Sequence, residues 1–181
     1  MKFITEALKG TSEYKELFSA FKNGRTPAIV TGVSGIHKCT VLYSLIKELQ
    51  KTAVILSADD GECLRFWEDL SSMGLRVAIY PLRDFSLRDT AGNSHEYERQ
   101  RLDVLNRFIG RELDVVIATV DAALQYTIPR EDLVKRGKKL KAGDETTIKD
   151  VLSALVLCGY QRDDQIEGTG QFSHRGGIID F

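Results

Sequence analysis

The stretch that decides the fold class is residues 27–39, which read Pro27-Ala28-Ile29-Val30-Thr31-Gly32-Val33-Ser34-Gly35-Ile36-His37-Lys38-Cys39. Residues 28–30 are a short apolar run with β-branched members, which is typical of a buried strand. Beyond the glycine-rich turn, apolar residues recur every three or four positions from 38 to 50, and this spacing predicts a helix. Residues 52–57 are again a short apolar run. The order strand, helix, strand indicates an α/β fold.

The alternation of apolar strands and amphipathic helices continues toward residue 119. Further strands are predicted at residues 76–80 and 114–119, each preceded by a helix. Parallel strands need crossover connections, and the crossovers cover both faces of a sheet. We therefore predict a parallel sheet with helices on both faces, of a degenerate RecA-like or P-loop type, over residues 1–127.

The pattern changes near Pro129, where a smaller unit is predicted to begin. Six basic residues crowd into residues 130–141, and the last four positions of this run suit an exposed edge strand. The elements predicted after it are a helix capped by Thr146 or Thr147 and strands at 160–166 and 171–181, joined at 168–170. We expect residues 128–181 to form a small α+β subdomain whose C-terminal strand returns toward the first domain.

The composition excludes several classes of function. The 25 basic and 26 acidic residues give a net charge of −1, so no global field attracts nucleic acid or an anionic membrane. The apolar runs are far shorter than the roughly 20 residues that cross a bilayer, and no secretion signal is present. We expect a cytoplasmic protein without a membrane partner. Because the sequence stops inside an apparent strand, we also expect it to be the start of a longer protein.

The turn after the first predicted strand occupies the position of a phosphate-binding loop. Such a loop reads G-x-x-x-x-G-K-[ST], in which backbone amides cradle phosphates, the lysine reaches the outer phosphates and the hydroxyl holds Mg²⁺. Gly32 and Lys38 are in register, with Gly35 between them, but His37 replaces the second glycine and Cys39 replaces the hydroxyl. A thiol is a poor ligand for Mg²⁺. We therefore predict a degenerate loop that holds no ATP, no magnesium and no other cofactor.

Two further stretches carry a resemblance to a known family. Residues 159–165 are followed by the pattern Gly170-x-Phe172-x-x-Arg175-Gly176-x-Ile178-x-Asp180. With the strand and degenerate loop before them, they resemble the UvrB homology module, which UvrB shares with the transcription-repair coupling factors. In UvrB the phosphate loop is intact, and a long tyrosine-rich hairpin stands where residues 81–93 are short and lack tyrosine. The resemblance therefore favours the coupling-factor branch.

The resemblance implies a function for this chain. In that family the whole protein is an ATP-driven DNA translocase that displaces stalled RNA polymerase and recruits UvrA. Its motor, with ATP and magnesium, lies in other domains, as do the contacts with DNA and RNA polymerase. The small subdomain is the family's UvrA-docking surface, so the resemblance implies a docking module without an enzymatic activity of its own.

The residue that we expect to contact UvrA first is Arg175. A guanidinium next to Gly176-Gly177 can present its bidentate fork to a carboxylate without bulky neighbours. Arg162 on the preceding strand is the second candidate, and Gln161 and Phe181 are weaker ones.

Alternative readings stay open at this point. Arg175 could instead form an internal salt bridge or lie solvated, and the basic run at 130–141 could be a solvated face or a patch for DNA or an acidic partner. Lys38 and that run would also suit a UvrB-like, nucleotide-dependent DNA-binding fragment. A third reading is an architectural domain that packs against other parts of its own chain.

Overall fold

The computed structural model describes residues 2–83, 96–137, 140–166, 168 and 170–181. The helices of these residues are α1 (Lys2–Gly10), α2 (Ser12–Lys22), α3 (Ile36–Leu49), α4 (Asp60–Ser72), α5 (Glu96–Ile109), α6 (Val120–Leu124), α7 (Arg130–Arg136) and α8 (Ile148–Leu157). The strands are β1 (Ala53–Ser57), β2 (Val77–Tyr80), β3 (Val115–Thr119), β4 (Gln161–Arg162), β5 (Gln171–Arg175) and β6 (Ile178–Asp180). No helix of these described ranges has the length and apolar character needed to cross a membrane.

The chain divides into two compact units. The first comprises residues 1–82 and 103–124, and the second comprises residues 83–102 and 125–181. The sequence-based boundary at 127/128 and the return of the C-terminal strand toward the first domain stay predictions.

The first unit is built on a parallel three-stranded sheet in the order β1-β3-β2. Val115 of β3 lies opposite Ala53 of β1 and Val77 of β2. Every residue of the central strand β3 is buried, as expected for a strand covered on both faces, and its sequence VVIAT is accordingly apolar and β-branched. The predicted α/β class is confirmed.

Helices cover both faces of this sheet. On one face, α3 and α4 pack through Cys39, Ile46, Cys63 and Leu70 against Val115 and Ile117. On the other face, Val104 of α5 and Ala122 of α6 join a core with Tyr80, Val116 and Ala118. Alternate residues of β3 thus serve opposite cores, because successive side chains of a strand point to opposite faces.

Local signals fix where the helices of this unit begin. The Asp59 side chain accepts a hydrogen bond from the amide of Glu62 (2.7 Å), and Thr11 caps α2 in the same way through the amide of Tyr14 (3.3 Å). Gly74, with φ +83°, follows α4 in the left-handed region that favours glycine. The Asp59 cap fixes the first turn of α4 at the end of β1, where Glu62 meets Ser57 and Lys38.

The second unit has a smaller core. A sheet in the order β4-β5-β6 pairs β4 with β5 in parallel and β5 with β6 in antiparallel fashion. Helix α8 begins at a cap in which Thr147 accepts from the amide of Asp150 (3.1 Å), and it packs Val151 and Leu155 against Phe172 of β5. The predicted helix and its threonine cap are therefore confirmed.

The strand predicted at residues 28–30 is wrong. These residues form no strand, and Ile29 is 90% exposed. They lie beside α2, where Ile29 and Val30 line a cleft of about 530 Å³ together with Leu17 and Val41. β propensity reflects how a side chain fits a sheet surface, so an apolar run makes no strand where no neighbouring strand pairs with it.

The strands predicted at 160–166 and 171–181 are shorter than expected. The segment at 168–170 that was predicted to join them connects a parallel pair and not a hairpin. The first is only β4, and the second divides into β5 and β6. The register that places Arg175 opposite Ile178 leaves Gly176-Gly177 as a two-residue hairpin turn, with φ +58° at Gly176. The Gly-Gly pair is thus a turn and not the interior of a strand. Leu140 and Lys141 lie in no strand, and residues 138 and 139 of the predicted edge strand lie outside the described residues.

Candidate functional site

The degenerate phosphate loop forms a tight turn before α3. Gly32 and Gly35 have φ +76° and +48°, and Gly35 is the N-cap of the helix. The amide of His37 donates to the carbonyl of Ser34 (3.1 Å), and the amide of Lys38 donates to the carbonyl of Gly35 (3.0 Å). A phosphate loop directs amides at these positions toward its ligand, whereas here both donate within the turn.

The lysine of the loop is paired with a carboxylate of the same unit. The Nζ atom of Lys38 lies 3.7 Å from Oε1 of Glu62, in the first turn of α4. The other carboxylate oxygen accepts hydrogen bonds from the Ser57 hydroxyl and the Ala58 amide. The Ser57 hydrogen bond and, with smaller effects, the Ala58 amide and Lys38 lower the pKa of Glu62. An internal anion thus faces the cation that would otherwise reach a phosphate.

Cys39, at the position of the magnesium-binding hydroxyl, faces the core. It is 1% exposed and belongs to the core between α3, α4 and the sheet. Its Sγ donates to Oδ2 of Asp69 at 3.6 Å. Burial, with a smaller contribution from Asp69, raises the pKa of the thiol to about 11, so the thiol stays protonated at neutral pH. A protonated, buried thiol is no ligand for Mg²⁺.

Thr40, the next hydroxyl along the chain, is also used by the helix itself. It is buried, and its Oγ1 donates to the carbonyl of Ile36 at 3.1 Å. Within the described ranges, no group of three metal-binding side chains is brought together. The loop therefore precedes a helix, but residues 28–30 before it form no strand, and its lysine, thiol and hydroxyl contact groups of the same unit.

Glu62 was not predicted from the sequence as a residue of this site. The one available signal is its spacing from Asp59, since an N-cap followed three residues later by glutamate is typical of a helix start, where the glutamate turns back toward the backbone. That pattern predicts a capping role for Glu62, but nothing in the sequence indicates that its carboxylate also meets Lys38.

The predicted docking residues lie on the sheet of the second unit, and all are exposed. Gln161 is opposite Gln171, and Arg162 is opposite Phe172. Because side chains alternate along a strand, Gln161 and Arg175 share one face of the sheet, whereas Arg162 is on the face that carries Phe172. The structure therefore brings the two arginines to one small sheet but on opposite faces. Phe181 follows directly after β6 and is largely exposed.

Arg175 forms a hydrogen bond to the backbone. Its Nη2 donates to the carbonyl of Asp164 at 2.8 Å. Among the described residues, no carboxylate forms a salt bridge with Arg175 or with Arg162. The neighbouring carboxylate of Asp163 is used locally, since it accepts from the Asp164 amide (2.9 Å) and from Gln171 (3.2 Å). The guanidinium is thus oriented while most of its donors face solvent.

Turn geometry supports this orientation. Nε2 of His174 lies 2.8 Å from the carbonyl oxygen of Gly176, which ties β5 to the hairpin turn next to Arg175. A two-residue turn with φ > 0 at its first position suits glycine. The position of Arg175 is therefore fixed both by the hairpin turn and by the loop that contains Asp164.

Comparisons with known proteins give consistent relationships. The UvrB interaction domain family matches residues 139–181. Over its whole length the chain is 29% identical to the transcription-repair-coupling factor of Bacillus subtilis (strain 168) and 22% identical to that of Staphylococcus aureus (strain USA300), and it spans 16% of each. Over 91% of its length it is 25% identical to UvrABC system protein B of Helicobacter pylori (strain HPAG1), of which it spans 27%. The chain thus covers a small part of these relatives.

Proposed function

From the premise that residues 139–181 match the UvrB interaction domain family, we propose that the chain is a UvrA-docking module of a transcription-repair coupling factor. Docking uses the β4-β5-β6 sheet, with Arg175 as the main contact. The chain itself is not an enzyme in this proposal. The longer protein is a cytoplasmic ATP-dependent DNA translocase that acts on stalled RNA polymerase, and its ATP, magnesium and DNA sites lie in other domains.

The observation that carries the proposal is the state of Arg175. It lies inside the matched segment, at the exposed end of β5, and the hydrogen bond that it forms within the described residues is to a carbonyl and not to a carboxylate. A guanidinium can bind a carboxylate through two parallel hydrogen bonds, which suits recognition of an acidic side chain on a partner. Gln161 lies on the same face but opposite Gln171, four residues along the strand from Arg175, so it would contact a different part of the partner.

Arg162 and Phe181 extend the same proposal with smaller roles. Arg162 lies on the opposite face of the sheet, so a partner that contacts both arginines must reach around the exposed β4 edge. Phe181 offers an exposed aromatic ring, a residue type that is enriched at protein interfaces. We therefore rank Arg162 below Arg175 as a contributor to docking.

A nucleotide-silent loop is part of the proposal. Three observations support it: Lys38 faces the Glu62 carboxylate, Cys39 is buried, and the amides of His37 and Lys38 donate within the turn. Binding of Mg-ATP would require the chain to break the ion pair and the turn together. No cofactor is therefore expected in this chain.

Binding of purified UvrA to the whole chain tests the docking role. We expect saturable binding that Arg175→Ala weakens by about 2–4 kcal/mol, because loss of an interfacial arginine leaves the partner's carboxylate buried and unpaired. Arg175→Lys should restore only part of the loss, since an ammonium lacks the bidentate geometry. Arg162→Ala should also weaken UvrA binding, but by less than Arg175→Ala does. Circular dichroism verifies that each variant is folded.

Two outcomes would contradict the docking proposal in different ways. Wild-type affinity in a folded Arg175→Ala variant would remove the role of this residue. Failure of the unmutated chain to bind UvrA would remove the role of the module.

Calorimetry with Mg-ATP tests whether the degenerate loop binds nucleotide. We expect no heat of binding from the wild-type chain or from the His37→Gly/Cys39→Ser double variant, because the amides of residues 37 and 38 still donate within the turn and position 39 still lies in the core. Micromolar binding by the wild-type chain, abolished by Lys38→Ala, would instead support the UvrB-like, nucleotide-dependent alternative.

A further inference from the structure

The outer side of α8 exposes apolar side chains. Seven of its ten residues are apolar, and they are Ile148, Val151, Leu152, Ala154, Leu155, Val156 and Leu157. Val151 and Leu155 are buried against the sheet, but Val156 and Leu157 are 60% and 70% exposed. A helix that is apolar on nearly all sides is normally buried on nearly all sides. The exposed side of α8 therefore has the character of a surface that a partner covers.

This side of α8 forms one wall of a groove. The groove has a volume of about 470 Å³ and is lined by Asp132, Lys135, Arg136, Gly137, Ala154 and Leu157, from the ends of α7 and α8. The Sγ of Cys158 lies 3.5 Å from the Arg136 carbonyl and links the two helix ends. Val134 of α7 is largely exposed and adds further apolar surface on that helix. Ala154 and Leu157 of α8 thus supply the apolar part of the groove, and the end of α7 supplies its charged part.

The rim of the groove is basic. Lys135 and Arg136 lie in the last turn of α7, and neither forms a salt bridge with any carboxylate in the described part of the chain. Among the described lining residues, one carboxylate is present, that of Asp132. Cations beside apolar surface complement a ligand that carries apolar side chains with carboxylates next to them.

We propose that the α7–α8 groove is a second docking surface, which binds an acidic amphipathic helix of a protein partner. Apolar side chains of that helix contact Ala154 and Leu157, and its carboxylates pair with Lys135 and Arg136. The apolar lining favours a protein helix over DNA, whose backbone offers phosphates but no apolar side chains to fill the groove. The site is distinct from Arg175, so it stands whether or not the proposed UvrA docking is correct.

The test is a titration of the isotope-labelled whole chain with two synthetic helical peptides, followed by nuclear magnetic resonance. The peptides share the same leucine face and differ only in carrying glutamates or lysines beside it. We expect the acidic peptide to shift resonances of α7 and of the end of α8, and the basic peptide to bind at least about tenfold more weakly. Equal binding of both peptides, or no saturable binding of the acidic one, would overturn the proposal.

Variants distinguish binding in the groove from binding elsewhere on the chain. Leu157→Asp and Lys135→Glu change exposed side chains, so the fold is expected to persist. Each should lower the affinity for the acidic peptide by about tenfold or more. Arg175→Ala, on the sheet, should leave peptide binding unchanged. If a short DNA duplex shifts the same resonances and competes with the acidic peptide at equal concentration, the groove is a nucleic-acid contact and the protein-helix proposal fails.

Discussion

The degenerate loop and the β4-β5-β6 sheet each present a basic side chain, and they differ in what that side chain contacts. Lys38 faces the Glu62 carboxylate at 3.7 Å, and Glu62 is in turn held by Ser57. Within the part of the chain that the structure describes, Arg175 donates a hydrogen bond to the carbonyl of Asp164 and forms no ion pair. A cation with an internal carboxylate must exchange that partner for any external anion. A cation that is oriented by a neutral carbonyl keeps its charge available.

The difference explains why the more familiar motif is the weaker functional candidate. A loop at the start of a helix with a lysine in register predicts phosphate binding, yet the lysine and the neighbouring thiol are both used within the first unit. The arginine of the second unit belongs to no well-known catalytic motif. Because this side chain is already positioned, it loses less conformational entropy when a partner binds.

The largest expected effect comes from removing the support beneath Arg175. Phe172 is 3% exposed and forms the small core of the second unit with Val151 and Leu155. We expect Phe172→Ala to lower the free energy of unfolding by about 3–5 kcal/mol, since a large buried side chain leaves a cavity. Denaturant unfolding measures this loss. Ile178→Ala, an exposed position on the same sheet, is the matched control and should change stability little.

That variant also tests the comparison. If Phe172→Ala destabilises the chain, UvrA binding should fall with it, because Arg175 follows three residues later on the same strand. Strong UvrA binding by a chain whose second unit is unfolded would show that the sheet does not position the contact.

An intermediate effect is expected at Glu62. We expect Glu62→Gln to lower the free energy of unfolding by about 0.5–1.5 kcal/mol at neutral pH, because a charge-assisted hydrogen bond with Ser57 and the ion pair with Lys38 are weakened together. Glu68→Gln in the same helix, where the carboxylate is exposed, is the control. If Glu62→Gln left the free energy of unfolding unchanged, the ion pair between Lys38 and Glu62 would not stabilise the chain.

The same pair of variants gives a pH dependence with a defined sign. The Ser57 hydrogen bond lowers the pKa of Glu62 in the folded chain, so the unfolded chain takes up a proton more readily as the solution becomes acidic. The stabilisation by Glu62 is therefore present above the ordinary carboxyl pKa and is lost as the pH falls through the lowered value. The stability difference between wild type and Glu62→Gln should shrink on acidification, and a difference that grows would contradict the assignment.

The smallest expected effect is that of Lys38. The ion pair is partly exposed, and such pairs contribute little because solvent and salt screen them. We expect Lys38→Ala to cost about 0.5 kcal/mol or less, and its coupling to Glu62→Gln in a double-mutant cycle to be of similar size. Lys51→Ala, at an exposed position before β1, provides the reference. A coupling of zero would show that the two side chains do not interact in solution.

Much of the fold follows from local patterns in the sequence. The strands β1, β2 and β3 and the helix α3 were predictable because apolar runs and helical spacing indicate burial. The helices α4 and α8 had in addition the strong caps Asp59 and Thr147. The run at 28–30 has the same composition as a strand, but none of the strands in the described ranges pairs with it. Pairing is a property of the neighbours, and a single segment does not encode it.

The site was predictable in part for the same reason. The substitutions at His37 and Cys39 are visible in the sequence, but the contact between Lys38 and Glu62 joins residues on two helices and needs the fold. The pattern around Arg175 is local, whereas its bond to the Asp164 carbonyl and the turn at Gly176-Gly177 depend on the register of three strands. Tertiary contacts of this kind leave no periodic signal.

The measurement that tests the central claim most directly is a UvrA titration of two matched variants, Arg175→Ala and Lys38→Ala, each verified as folded. We predict that Arg175→Ala loses about 30-fold to 1,000-fold in affinity, which corresponds to about 2–4 kcal/mol, and that Lys38→Ala binds as the wild type does. Wild-type binding by Arg175→Ala together with a clear loss in Lys38→Ala would show that the loop, and not the sheet, presents the available charge.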